Sequence, residues 1–161
     1  ADPLQIYAVE TSLQMHIAEC SEQLRELYVT AYTLPSTSEF IYQSTAEKLA
    51  HIFGPYLPEA TARDFYELDI ASASITRGFM AKPCDLYFTM EAKLRRYLGC
   101  CFRIYRVPEE SYLPVVDAAA GMDLHAAAQA VVAQTVRQVE EGYESAMAES
   151  RGRNFQTEEK L

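Results

Sequence analysis

The sequence predicts an all-α domain, a bundle of about seven helices. Three observations predict it. Apolar residues recur at the 3.6-residue helical period through almost every segment. No stretch alternates like a half-buried strand, and no Asn-Gly or Asp-Gly turn joins two such stretches. Proline, glycine and capping residues cut the chain into pieces of helix length.

Pro3 suits the first turn of an opening helix whose stripe is Ile6, Val9, Leu13, Ile17 and Cys20. Ser21 caps a second helix with Leu24, Leu27, Tyr28 and Ala31 inward. Thr33-Leu34-Pro35 ends it, because the residue before proline leaves the α region. Ser36 with Glu39 reads as a capping box for a third helix carrying Phe40, Ile41, Thr45, Leu49, Ile52 and Phe53. Gly54-Pro55 stops that helix, and Thr61 with Asp64 starts the next. The stretch from Thr61 to Tyr105 reads as two long helices hinged at Lys82-Pro83. The first sets Phe65, Leu68, Ser72, Ile75 and Phe79 on one face and stacks Asp69, Ala73 and Arg77 along another. In the second, Tyr87, Met90, Leu94, Tyr97, Leu98, Cys101 and Tyr105 form a seam that a second copy of the chain is expected to cover. Pro108-Glu109-Glu110 begins a short helix, which Gly121 ends. Asp123 caps a last long helix with Leu124, Ala128, Val131 or Val132, Thr135, Val139 and Tyr143 on its faces. Residues 1–149 are therefore expected to form the helical domain, and 150–161 a polar C-terminal tail without period.

A chain of 161 residues suits one domain with a proper core. Its formal charge of −9 argues against nucleic-acid binding by this segment, since phosphate neutralisation needs clustered Lys and Arg. No run of eighteen apolar residues is present, so no membrane partner is expected. Cys20, Cys84, Cys100 and Cys101 show neither metal spacing nor a disulfide framework; reduced thiols in a cytoplasmic protein are the plain reading.

No catalytic constellation is visible, and no cofactor or metal is implied. His16, His51 and His125 lie on three different helices. His16 and Glu10 flank the apolar stripe of the first helix, where a cavity contact competes with a core histidine and a solvated carboxylate. Asp69 and Arg77 are the best polar pair, either orienting a ligand or forming a structural ion pair. Tyr28, Tyr32, Phe40, Phe65, Tyr66 and Phe79 sit on three consecutive helices, as aromatic walls of a pocket for a small apolar or aromatic effector, or as ordinary core.

The order of elements resembles the C-terminal effector-binding and dimerisation domain of TetR/AcrR-type transcriptional regulators. The likeness is carried by DPLQIYAVETSLQMHIAE, LRELYVTAYTLPSTSEFI, DFYELDIASASITRGFMAKPCD, YFTMEAKLRRYLGCCFRIYRVPEE and DLHAAAQAVVAQTVRQVEEGYE, and it spans about Asp2 to Glu149. The family's helix-turn-helix head is not in this sequence, so DNA contact would belong to that missing N-terminal domain. The resemblance implies a homodimer built as a four-helix bundle from Asp85–Tyr105 and Asp123–Glu149. Met90, Leu94, Tyr97, Leu98, Cys101, Val132, Val136 and Val139 would then form the interface. It also implies an effector cavity among the helices that begin at Ser21, Ser36 and Thr61, closed by the first helix. Two alternatives stand beside it. One is a constitutive helical interaction module without a pocket; the other is a bilin carrier using Cys84.

Overall fold

Seven α-helices run through residues 2–158, the part of the chain that the computed structural model describes. They are α1 (Pro3–Cys20), α2 (Glu22–Thr33), α3 (Pro35–Phe53), α4 (Ala62–Ala81), α5 (Met90–Ile104), α6 (Glu109–Ala120) and α7 (His125–Glu158), with a 3₁₀ turn at Gly54–Tyr56. No strand occurs among the described residues.

Local chemistry accounts for most boundaries. Asp2 accepts the Leu4 N–H at 3.0 Å and Pro3 fills the first turn of α1. Ser21 caps α2 through the Leu24 N–H, and Thr61 with Asp64 closes a full capping box on α4. Three expectations are corrected. Ser36 and Glu39 are not a capping box: Pro35, with its φ already helical, starts α3 two residues earlier, and Glu39 instead accepts the Tyr66 hydroxyl. The second central helix begins at Met90, not Asp85. Asp85 accepts the Tyr87 and Phe88 N–H groups at 2.8 and 2.7 Å, which turns the chain, and Thr89 then caps α5. Tyr87 is left 92% exposed in that loop, outside any seam. Finally, α7 continues as helix through Glu158, so the expected tail from Ser150 is helical as far as the described residues go; residues 159–161 lie outside them.

Helix α1 is the centre of the bundle and packs against α2, α3, α5, α6 and α7. An aromatic stack ties its N-terminal half to three of them. Tyr7 meets Phe53 of α3 and Phe102 of α5 edge-on, at centroid distances of 5.0 and 5.7 Å. Phe53 stacks on Tyr105 at 4.0 Å, and Phe102 stacks on Tyr112 of α6 at 5.7 Å. Leu94, Tyr97, Leu98 and Cys101 lie in this same core at 1% exposure or less. They are filled from within the chain and present no surface to a second copy, which corrects the expectation that they form a dimer seam. Met90, at the start of α5, is half-buried against the same core.

The C-terminal end of α1 is fixed differently, by charge. Glu19 receives Arg25 of α2 through two nitrogens at 3.0 and 2.9 Å, Lys93 of α5 at 2.8 Å and the Cys84 N–H at 3.2 Å. Arg25 also donates to the Met80 carbonyl at 2.9 Å, and Lys93 to the Lys82 carbonyl. Burial alone would raise the Glu19 carboxyl, but the hydrogen bonds and charges of Arg25 and Lys93 outweigh it and hold the group at about 2.

Replacing Glu19 with Ala strands the buried Lys93 and leaves Arg25 only its 3.4 Å contact with Glu22, and is expected to cost about 3 kcal/mol in urea denaturation at pH 7. The depressed carboxyl sets the pH sense. Its contribution is complete above the ordinary value of 4.5 and disappears as pH falls toward about 2, so the variant should lose less stability than the parent across that window. Leu98→Glu is expected to abolish cooperative folding, at about 4 kcal/mol or more, rather than to yield a folded monomer; circular dichroism with sedimentation distinguishes the two.

Candidate functional site

A cleft of about 110 Å³ opens between α1, α3 and α4, with Tyr32 of α2 and Tyr97 of α5 completing its wall. The α4 side is set by helical spacing. Asp69, Ser72, Ala73, Thr76 and Met80 form the buried face of that helix, and the first four line the cleft. Ser72 shares a hydrogen bond with the Tyr105 hydroxyl at 2.9 Å, and Thr76 with the Tyr97 hydroxyl at 2.7 Å. Their hydroxyl partners thus come from α5 and from Tyr105 at its C-cap, which places this polar wall directly over the aromatic core. From α1 come Tyr7, Glu10, Thr11 and Gln14, at helical intervals along one side; from α3 come Ile41, Thr45, Lys48 and Leu49.

Asp69 is the chemical focus. It is 3% exposed, and Oδ2 accepts the Thr45 hydroxyl at 2.5 Å. No hydrogen bond reaches its other oxygen among the described residues, and that oxygen is not one of the fully buried atoms left without a partner, so it meets the open cleft. Burial raises this carboxyl from 3.8 to about 6, and the Thr45 hydrogen bond only partly opposes the rise. No Lys or Arg contributes to holding it ionised. Lys48, the one cationic side chain lining the cleft among the described residues, is committed to Glu10 across the opening, and both groups are about half exposed.

Three of the sequence-selected ligand contacts come together here: Glu10, Tyr32 and Asp69. Tyr32 donates to Gln14 at 3.5 Å, and burial pushes its hydroxyl up to about 12. The other seven go elsewhere. Arg77 is exposed and its Nε donates to the Thr33 hydroxyl at 2.7 Å, so the expected Asp69–Arg77 pair does not form; eight residues along the helix carry Arg77 off the buried face. Phe40 is 73% exposed, and Phe65 is buried in the core. Tyr66 binds Glu39 at the surface, and Phe79 packs against the Tyr97 ring at 5.8 Å. Tyr28 faces a separate apolar groove of about 270 Å³ between α2 and α7, lined by Ile17, Leu24, Leu27, Val132 and Val136 among others. His16 is half-buried; its Nε2 has no hydrogen-bond partner among the described residues, and burial lowers its basicity. Sequence reasoning missed Thr45, Lys48, Ser72 and Thr76. The signal for the last two was present, because Asp69, Ser72 and Thr76 share one helical face.

The long helix α7 supplies a second candidate surface. Its first part packs on α1, and Ala128 is fully buried. From Ala133 to Gln156 every residue is exposed. Val136, Val139, Tyr143 and Met147 follow one another at intervals of three or four, so they share a stripe; two of them, Val136 and Val139, are sequence-selected interface residues, and Val132 stands half-buried at its start.

What this defines is an all-helical domain with a small polar-floored cleft and an unpartnered helical arm. No family model matches the chain, and searches of curated proteins and of solved structures return no match. No group of three or more metal-binding side chains occurs among the described residues, and no helix there is long and apolar enough to cross a membrane.

Because the folded pKa of Asp69 is raised, its ionisation works against the fold as pH rises from 3.8 through about 6. Asp69→Asn is therefore expected to raise the unfolding free energy by on the order of 2–3 kcal/mol at pH 7.5. The gain should fade by pH 4. Melting curves at the two pH values check this, and a loss of stability at pH 7.5 would contradict it.

Proposed function

We propose that this chain is the ligand-responsive dimerisation domain of a TetR-type transcriptional regulator acting in the cytoplasm, a binding domain rather than an enzyme. The observation that carries the reading is the double position of α1. Four of its side chains line the cleft, and it is the helix whose N-terminal end a DNA-binding head would join. A ligand with different affinity for two tilts of α1 would shift their populations, and with them the spacing of two heads. DNA contact would belong to those heads, in keeping with the acidic charge of the domain itself.

Pairing of two chains would use the exposed stripe of α7, reached through Val132, Val136 and Val139. Such a helix is about 50 Å long and gains little from its own chain beyond its first turns. A two-fold contact between two such arms would cover both stripes at once. The same arm would equally serve a constitutive interaction module, and ligand binding at the cleft is what separates the two readings.

The chain is expected to sediment as a dimer, and Val139→Glu to give a folded monomer with an unchanged helical spectrum. A monomeric parent chain would remove the dimeric regulator reading. The reading frame upstream of Ala1 is expected to encode three short helices with Lys and Arg gathered on the third. A frame lacking them would remove the regulator class and leave the cleft and arm to the interaction module.

A further inference from the structure

We propose that the cleft over Asp69 takes a small organic cation, a primary alkylammonium, as its ligand. The inference rests on the reading of this cleft as a ligand site, and it replaces the apolar or aromatic effector expected from the sequence.

Charge counting leads to it. Three ionisable groups that bear charge near neutral pH line the cleft: Glu10, Lys48 and Asp69. Glu10 and Lys48 neutralise each other across the opening. Asp69 remains, 3% exposed and held by a single hydroxyl. Arg77, which the helix might have offered as a counter-ion, is turned outward onto Thr33. A buried carboxylate without a cation is costly, and proteins normally pair it. Here the missing partner faces open space rather than packed protein, because Asp69 lines the cleft.

The surroundings narrow the cation. A divalent metal needs several anionic or imidazole ligands, and no such group occurs among the described residues. Tyr7, Tyr32 and Tyr97 line the same space, and aromatic side chains favour an ammonium beside an apolar stem. A volume of about 110 Å³ holds several atoms but not a large drug-like molecule. Ammonium donates three hydrogen bonds, one for the unpartnered oxygen of Asp69 and others for hydroxyl oxygens along α4.

The test is a titration of the isotopically labelled full chain, followed by amide NMR at pH 7.5, with n-butylammonium, n-butanol and butyrate. These share a stem and differ in charge. The amine is expected to shift the amides of Thr45, Asp69 and Ser72 saturably, and to bind at least tenfold more tightly than the alcohol or the carboxylate. In Asp69→Asn the amine should fall to the level of the alcohol while the rest of the spectrum stays in place. Equal binding of amine and alcohol by the parent chain would overturn the cation assignment and leave the cleft as a ligand site. So would unchanged amine binding by the variant. Failure of all three probes to bind would overturn both. The comparison of probes on the parent chain decides the matter even if the variant does not fold.

Discussion

The ion cluster on Glu19 is the constraint on which the rest of the bundle depends. One carboxylate at the end of α1 receives groups from α2, from the loop after α4 and from α5. Its two cations in turn bind the carbonyls of Met80 and Lys82, where α4 ends. Each charge in the cluster is expensive to bury, so each is tolerable only while the others are in place. That mutual requirement holds four segments together at one point. The aromatic stack at the other end of α1 is less directional, because rings accept several arrangements at similar cost.

With the end of α4 held by Arg25 and Lys93, the rotation of that helix is set, and the rotation decides which residues face inward. The inward face is Asp69, Ser72, Ala73, Thr76 and Met80, a line with three polar side chains in it. Two of the three are satisfied by the hydroxyls of Tyr97 and Tyr105, whereas Asp69 is satisfied at only one oxygen. The two buried carboxylates therefore act in opposite senses. Glu19 is held well below its ordinary range by partners, and Asp69 is pushed above it by burial. The first group stabilises the fold once ionised and the second opposes it. Strain of that kind persists where surrounding packing over-determines the position, and it is found preferentially at functional sites.

The helical class was legible in the sequence because periodicity and caps are local properties. Thr61 with Asp64, Ser21, Pro3 and Gly121 mark boundaries that depend only on neighbouring residues. Ser36 with Glu39 has the same local pattern and fails, because Pro35 already starts the helix and puts Ser36 inside it; Glu39 then accepts from Tyr66, 27 residues away. The start of α5 fails for a related reason: helical period continues through Tyr87, but the Asp85 side chain turns the backbone first. The cleft was only partly legible. Glu10, Tyr32 and Asp69 were selected because each is a polar or aromatic group beside an apolar stripe. Phe65, Phe79 and the α5 seam satisfy the same criterion and are core. Periodicity identifies a buried face; it carries no information on whether the same chain or another one does the burying. Lys93, among the most deeply buried residues of the domain, has no sequence signal at all, since its partner Glu19 is 74 residues distant.

What remains is how the cleft and the arm are joined. Helix α1 both lines the cleft and packs along the first part of α7. Tyr7, Glu10, Thr11 and Gln14 face the cleft, whereas Ile17, one turn further on, lines the apolar groove shared with α7. The two surfaces are thus successive parts of one rigid element. Its C-terminal end is anchored at Glu19, so a displacement imposed at Glu10 cannot be absorbed by sliding of the whole helix. Its N-terminal half is held separately, by the packing of the Tyr7 ring against Phe53 and Phe102. The stretch that lines the cleft therefore lies between two fixed points, and the groove under α7 begins beside the second of them.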